Sequence, residues 1–298
     1  MKVLVTGSHG LIGGELVAAL RAGGHTVTPL VRGRPEAGQA AWDPDTGTID
    51  AAALEGHDAA VHLAGVGIGD SRWTPEHKQA VLDSRVKGTG LLARTLASLS
   101  SPPAVLASGS AVGFYGDRGD EELTEASGPG AGFLADVVRR WEEAAAPAAE
   151  GGIRVAHLRS GVVLSAKGGA LKKQLPAFKA GVGGRLGSGR QYLSWISLTD
   201  HVAATRHVLG TDSLKGPVNV TGPSPVANAE FTKTLGRVLG RPTVLPVPTV
   251  ALNLLFGKEM VDEMLLGGQR VLPAALEASG FRFSHPEIEP ALRAALGR

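Results

Sequence analysis

The chain has 298 residues, 43% of them hydrophobic, and a formal net charge of +2, enough apolar material for one large α/β domain and a smaller one. Its charges are interspersed with no basic block, so the footprint of nucleic-acid binding is missing, and the lack of cysteine excludes disulfides, thiolate catalysis and zinc–thiolate sites. No charged leader precedes the first apolar run, and the longest apolar stretch, near Val247 to Phe256, is too short to span a bilayer; the expectation is a cytoplasmic protein without membrane or nucleic-acid partners.

Lys2-Val3-Leu4-Val5-Thr6 reads as a buried parallel strand. Gly7 to Gly13 follows at once, and Glu15 to Arg21 repeats apolar residues at helical spacing (Leu16, Val17, Leu20). Gly23-Gly24 stops that helix, and His25 to Val31 gives a second strand. A glycine turn between strand and helix in one βαβ unit is the context that a dinucleotide fingerprint requires. Gly7 allows the tight turn, Gly10 lets the backbone approach a pyrophosphate, and Gly13 lets the helix pack close to the strand. The diphosphate is expected on the amides that open the helix, around Leu11 and Ile12. At the end of the second strand an NAD site wants an acid for the ribose 2′-hydroxyl, and an NADP site a cation for the 2′-phosphate. Val31 stands in the acid's place and Arg32 follows it, so the expected cofactor is NADP(H).

The spacing Gly-x-x-Gly-x-x-Gly, preceded by Thr6, resembles the signature of extended short-chain dehydrogenases/reductases. The polar stretch from Arg34 to Asp50, with Trp42-Asp43-Pro44, reads as a short edge element near an adenine pocket. Ala59 to Gly65 reads as a strand, and the resemblance places its end, Leu63, Ala64 and Gly65, along the cofactor. Thr74 as N-cap and Pro75 at the first helical position open a helix that runs to about Leu99. Arg85 stands within it where the extended enzymes usually carry asparagine, and it could reach a cofactor phosphate or hydroxyl. Ala104 to Ser108 is the next strand. By the same resemblance Ser108 lies at the cofactor and Ser110 matches the catalytic serine.

In these enzymes the serine orients a carbonyl, a tyrosine donates the proton, and a lysine one helical turn further on lowers the tyrosine pKa. Here that pair is missing. Of the two tyrosines, Tyr115 and Tyr192, neither is followed by lysine at that spacing, and Leu134 and Val138 fall about where the pair belongs. Tyr115 is the nearest phenol to Ser110 and the expected proton donor. Ile153 to Leu158 is a further strand, and Ser160, Gly161 and Val162 after it inherit a place against the nicotinamide. Thr199 reads as the cap of a helix over Asp200–Leu209, and Asn228 as the cap of Ala229–Leu239. Pro246 to Leu266 reads as two short apolar helices. They leave open whether their apolar surface lines a substrate pocket or the face of a homodimer. The nine histidines are scattered without metal-ligand spacing, so no metal site is expected.

Ser-Arg-Trp-Thr, Ser-Arg-Val-Lys-Gly-Thr, Ser-Ala-Val-Gly-Phe-Tyr-Gly-Asp, Leu-Arg-Ser-Gly-Val-Val-Leu, Gly-Ser-Gly-Arg-Gln-Tyr-Leu-Ser-Trp-Ile and Leu-Leu-Gly-Gly-Gln-Arg-Val-Leu-Pro occur in that order. Together they resemble the atypical short-chain dehydrogenase/reductase subfamily called epimerase family proteins. The resemblance implies an α/β fold, a Rossmann doubly wound parallel sheet with a smaller, interleaved C-terminal substrate lobe. The NADP-binding part would take residues 1–165 with 195–222 returning to it, and the lobe residues 166–194 and 223–298. It implies an NADP(H)-dependent oxidoreductase or epimerase-like enzyme acting on a small carbonyl, hydroxyl or nucleotide-sugar-like substrate. The missing tyrosine–lysine pair favours the alternative, a non-catalytic NADPH-binding regulator or sensor. A strict sugar-nucleotide epimerase needs tightly held NAD, against which Arg32 argues.

Overall fold

Short β-branched runs alternating with amphipathic stretches build a parallel sheet covered by helices on both faces. The computed structural model describes all residues, Met1–Arg298. Its strands are β1 (Lys2–Thr6), β2 (Thr26–Val31), β3 (Ala40–Asp43), β4 (Thr48–Ile49), β5 (Ala59–His62), β6 (Val105–Ala111), β7 (Glu122–Leu123), β8 (Arg154–Ser160), β9 (Val162–Leu164), β10 (Tyr192–Leu193), β11 (Trp195–Ser197), β12 (Gly216–Val220), β13 (Val226–Ala227) and β14 (Arg270–Val271). Eight form the main sheet in the order β12-β8-β6-β5-β1-β2-β3-β4. All its pairs are parallel except β3 with β4. The chain walks from β1 to β4 on one side and then crosses to β5 on the other. Ligands of open α/β sheets bind at such a reversal, outside the carboxyl ends of the strands.

The helices are α1 (Leu11–Ala22), α2 (Pro75–Ser98), α3 (Phe133–Glu143), α4 (Ala146–Glu150), α5 (Gly169–Lys179), α6 (Leu198–Leu209), α7 (Asn228–Leu239), α8 (Thr249–Phe256), α9 (Lys258–Met260), α10 (Ala274–Ala278) and α11 (Ile288–Leu296), with a π-helical turn over Val261–Leu266. Alternate residues of each strand face opposite sides. Val3, Val5, Val61 and Ala107 therefore pack with Leu16 and Leu20 of α1 and Val208 of α6, while Leu4, Ala60 and Leu106 pack with Leu92 and Leu96 of α2. A separate core joins α5, α7 and α11 through Phe178, Phe231, Leu235 and Leu292. No helix is long and apolar enough to cross a membrane.

Two caps differ from expectation. Ser197, not Thr199, caps α6, because its hydroxyl accepts from the Asp200 amide (2.9 Å) while donating to the Asp200 carboxylate (2.8 Å). Asn228 is the first residue of α7 rather than its cap, and its side-chain oxygen accepts from the Leu186 amide at 2.8 Å. Thr74 caps α2 as expected, accepting from the His77 amide at 3.2 Å.

A single hydroxyl ties β1 to the end of β5. Thr6 Oγ1 accepts from the amides of Leu63 (3.1 Å) and Ala64 (3.2 Å), so its proton points to His62 Nδ1 at 2.7 Å. Burial, and then the charge of Arg85, pushes the His62 pKa down to about 4; burial does the same to His201. Both imidazoles are neutral in the fold. An unfolded chain takes up these protons as pH falls through about 6.5, whereas the folded chain does not until about 4. Stability is therefore lost as pH drops through that window, by up to about 1.4 kcal/mol per pH unit for each ring. His62→Asn, which keeps an acceptor for Thr6, should shrink the stability lost between pH 7 and 5 in denaturant melts by about 1–2 kcal/mol. An undiminished loss would mean that His62 already carries a proton in the fold.

Candidate functional site

The turn after β1 is shaped by backbone crowding. Gly7 has φ +68°, and a Cβ there would lie 2.8 Å from the Leu63 carbonyl. A Cβ on Gly13 would lie 2.1 Å from the Gly7 oxygen, so only glycine lets α1 start this close to β1. Gly10 is different: a Cβ there would meet only the Gly7 oxygen, at 3.2 Å, and would otherwise project into open space. Gly10 also occupies the cap position of α1, with no side-chain cap and no acidic residue in the first turn. The amides of Leu11, Ile12 and Gly13 thus open the helix with its positive dipole end uncompensated, a ready site for an anion.

This turn forms one wall of a cleft of about 770 Å³. The cleft brings together Gly7, Gly10, Val31, Arg32, Leu63, Ala64 and Gly65, seven of the residues expected at a cofactor, and adds Trp42, Pro44 and Asp45 from the edge of β3. Arg32 is exposed on its rim, one residue beyond β2, and no carboxylate stands in the position of Val31. The cradle left by Gly10, the uncapped helix start, the rim cation and the flat Trp42 ring fit a dinucleotide phosphorylated on its ribose.

The remaining expected residues lie outside the cleft lining. Arg85 sits behind the Gly65–Val66 backbone, donates to the carbonyls of Val66 (2.9 Å) and Val81 (3.1 Å), and stacks 4.9 Å over the Trp141 ring. Burial lowers its pKa to about 10, and no carboxylate pairs with it. Ser108 is fully buried in β6. Ser160 Oγ lies 2.9 Å from His201 Nε2, the Gly161 amide donates to Val220 O (3.1 Å), and the Val162 amide donates to Ser194 O (2.8 Å).

Ser110 and Tyr115 come together, but inside a dry network. Ser110 of β6, Arg159 of β8 and Asn219 of β12 are register partners and form one row across the sheet. Glu142 of α3 roofs the row: it accepts from Ser110 Oγ at 2.6 Å and from Arg159 Nε and Nη2 at 2.8 Å each. Arg159 Nη1 donates to the Tyr115 hydroxyl at 3.0 Å, and that hydroxyl donates to Asn219 Oδ1 at 2.7 Å. The guanidinium also lies 3.4 Å from the Phe114 ring centre. Asn219 continues the chain to Leu272 O (2.9 Å), just after β14. Burial raises the Tyr115 pKa, against the opposing pull of Arg159.

In this geometry Tyr115 is engaged within the fold. Its side chain is wholly buried and its proton is already given to Asn219. Ser110 is 4% exposed and its only proton goes to Glu142. In place of the tyrosine–lysine pair, Leu134 and Val138 pack against Gly113. Arg159, Glu142 and Asn219 were missed by motif reading. Arg159 left a signal, a charge at the end of the apolar run Val155–Leu158, whereas Glu142 looks like any surface glutamate beside Arg139 and Arg140. The side chains of the pair are only 5% and 12% exposed, so Arg159→Leu, which strands the Glu142 carboxylate, should cost about 3–5 kcal/mol in denaturant melts. An unchanged midpoint would mean that the carboxylate takes up a proton at little cost.

Comparison with known proteins agrees with this architecture. Residues 3–221 match the NAD dependent epimerase/dehydratase family, and residues 247–295 match a domain of unknown function, DUF1731. An epimerase family protein of Mycobacterium bovis is 48% identical over 291 residues, covering 97% of this chain and 96% of its own. The crystal structure of human epimerase family protein SDR39U1 (isoform 2) with NADPH matches with a TM-score of 0.92 and 36% identity, covering 100% of both chains. That of a nucleoside-diphosphate sugar epimerase from Corynebacterium glutamicum matches with a TM-score of 0.82 and 39% identity, over 100% of this chain and 58% of the other. From its glycine turn to its C-terminal lobe, the chain belongs to the NAD dependent epimerase/dehydratase family and, within it, to the epimerase family proteins.

Proposed function

We propose that this chain binds NADP(H) in the 770 Å³ cleft and acts as an epimerase-type oxidoreductase on a small carbonyl, hydroxyl or nucleotide-sugar-like substrate. The observation that carries the reading is the pairing of two anion sites on one cleft. The uncapped first turn of α1 takes the diphosphate, and Arg32 takes the 2′-phosphate. Leu63, Ala64 and Gly65 pass along the ribose, where small side chains let the cofactor lie on backbone. Arg85, behind that wall, adds positive charge at the inner end of the cleft. The human relative crystallised with NADPH supports the choice of cofactor.

The bound nicotinamide supplies a hydride acceptor or donor. The proton side of such a reaction falls to Ser110 and Tyr115, whose hydroxyls are held by Glu142 and Asn219, so a local rearrangement has to free one of them before it meets a substrate. A second reading, an NADPH-binding sensor without turnover, is favoured by the apolar packing of Leu134 and Val138 where a proton relay would stand. Oxidation of NADPH by the purified protein with any member of a carbonyl panel separates the two, and none at all favours the sensor.

Calorimetric titration with NADPH, NADP⁺, NADH and NAD⁺ tests the cofactor reading. NADPH should bind more tightly than NADH. Arg32→Asp should weaken NADPH by about 10–100-fold, the scale of one lost charge-assisted contact, while leaving NADH within a few-fold. Equal affinity for NADPH and NADH in the unaltered protein would overturn the assignment of Arg32.

A further inference from the structure

The segment between Val247 and Gly268 is attached differently from the rest of the C-terminal lobe. At one end the Val247 amide donates to Arg185 O (2.9 Å), and at the other the Gly268 amide donates to the Asp117 carboxylate (3.0 Å). Between these anchors lie α8, α9 and the π-helical turn, an irregularity that often marks functional positions. In this stretch only Leu252, Met260 and Val261 are buried, and none of them joins any of the four apolar cores. The neighbouring α7 by contrast commits Phe231, Leu235, Val238 and Leu239 to the lobe core. Val250, Leu254 and Leu255 of α8 are 71%, 74% and 65% exposed.

What holds the segment down is largely polar, beginning with Gln191 Nε2, which donates to Leu265 O at 3.0 Å and is the segment's side-chain tie to the Arg190–Leu193 stretch. The Glu263 carboxylate accepts from the amides of Phe133 (3.0 Å) and Leu134 (2.9 Å), the first turn of α3. Gly132, at φ +105°, makes room for it, since a Cβ there would lie 3.0 Å from that carboxylate. Lys78 of α2 pairs with Glu259 at 2.6 Å, and Arg72 donates to the carbonyls of Leu254 and Leu255. Arg72 belongs to the loop that continues directly from Gly65 and Val66, the inner wall of the cofactor cleft. Exposed ion pairs of the Lys78–Glu259 kind contribute about 0–1 kcal/mol, and a segment that buries only Leu252, Met260 and Val261, outside the main cores, opens at a lower free energy than the core.

We propose that residues 249–266 form a lid beside the inner end of the cofactor cleft, latched by Glu263 on the first turn of α3 and opening independently of the lobe that carries it. Its opening releases the loop after Val66 and gives a second ligand a way in without unfolding α5, α7 or α11. The latch is made by the chain alone, so it operates in the protein without cofactor.

Hydrogen exchange read by mass spectrometry on the full-length protein without ligand tests the lid. Glu263→Gln keeps the side chain's size but cannot accept from both amides as a carboxylate does. It should speed exchange over residues 249–266 by about tenfold or more, with α7 unchanged. Glu259→Gln, at an exposed position, should speed the same amides by a smaller factor. Unchanged exchange in both variants would overturn the proposal. So would an acceleration shared equally by α7, because the segment would then be part of the lobe core.

Discussion

The close approach of the first turn of α1 to the end of β1 governs the cleft. Gly13 presses its α-carbon against the Gly7 carbonyl, and Gly7 in turn lies against the backbone at Leu63. These contacts bring the helix start, the end of β1 and the segment after β5 together at the sheet's topological reversal. Thr6 reinforces the arrangement from below by holding the amides of Leu63 and Ala64. Any larger residue at Gly7 or Gly13 would push these walls apart, so the dimensions of the cleft are set by backbone, and side chains such as Arg32 and Trp42 only select what fills it.

Deeper in the molecule α3 closes over the row formed by Ser110, Arg159 and Asn219. Helix α3 presents Leu134 and Val138 to Gly113 and, one turn after Val138, Glu142 to Ser110 and Arg159. Glu142 and Arg159 form an ion pair with hydrogen bonds satisfied on nearly every side. Such a pair fixes geometry more surely than it adds stability, because the attraction of the two charges is offset by the cost of drying them. Its extension through Tyr115 and Asn219 to Leu272 ties the candidate catalytic serine to the segment after β14.

Much of this was legible in the residues. The βαβ unit, the glycine turn and the cap at Thr74 are local patterns, and Arg32, singled out from the sequence, lines the cleft. The edge element around Trp42 was also visible, although its parallel pairing with β2 was not. What escaped was long-range. Glu142 and Arg159 meet only because β8 lies beside β6 with α3 packed over them, and nothing in either local stretch announces that meeting. Tyr115 has a long-range partner of the same kind. Its neighbourhood in the chain suggests a reacting phenol, while Asn219, 104 residues away, takes its proton. The cap of α6 moved from Thr199 to Ser197 because Ser197 alone can serve both the amide and the carboxylate of Asp200.

A crystal structure of the protein soaked or grown with NADPH tests the account most directly. It predicts the 2′-phosphate at hydrogen-bonding distance from Arg32 and the diphosphate on the amides of Leu11 and Ile12. The Ser110–Glu142 and Tyr115–Asn219 bonds should stay in place. A cleft without nucleotide at saturating NADPH, or a Tyr115 hydroxyl swung out of its network toward the nicotinamide, would contradict it.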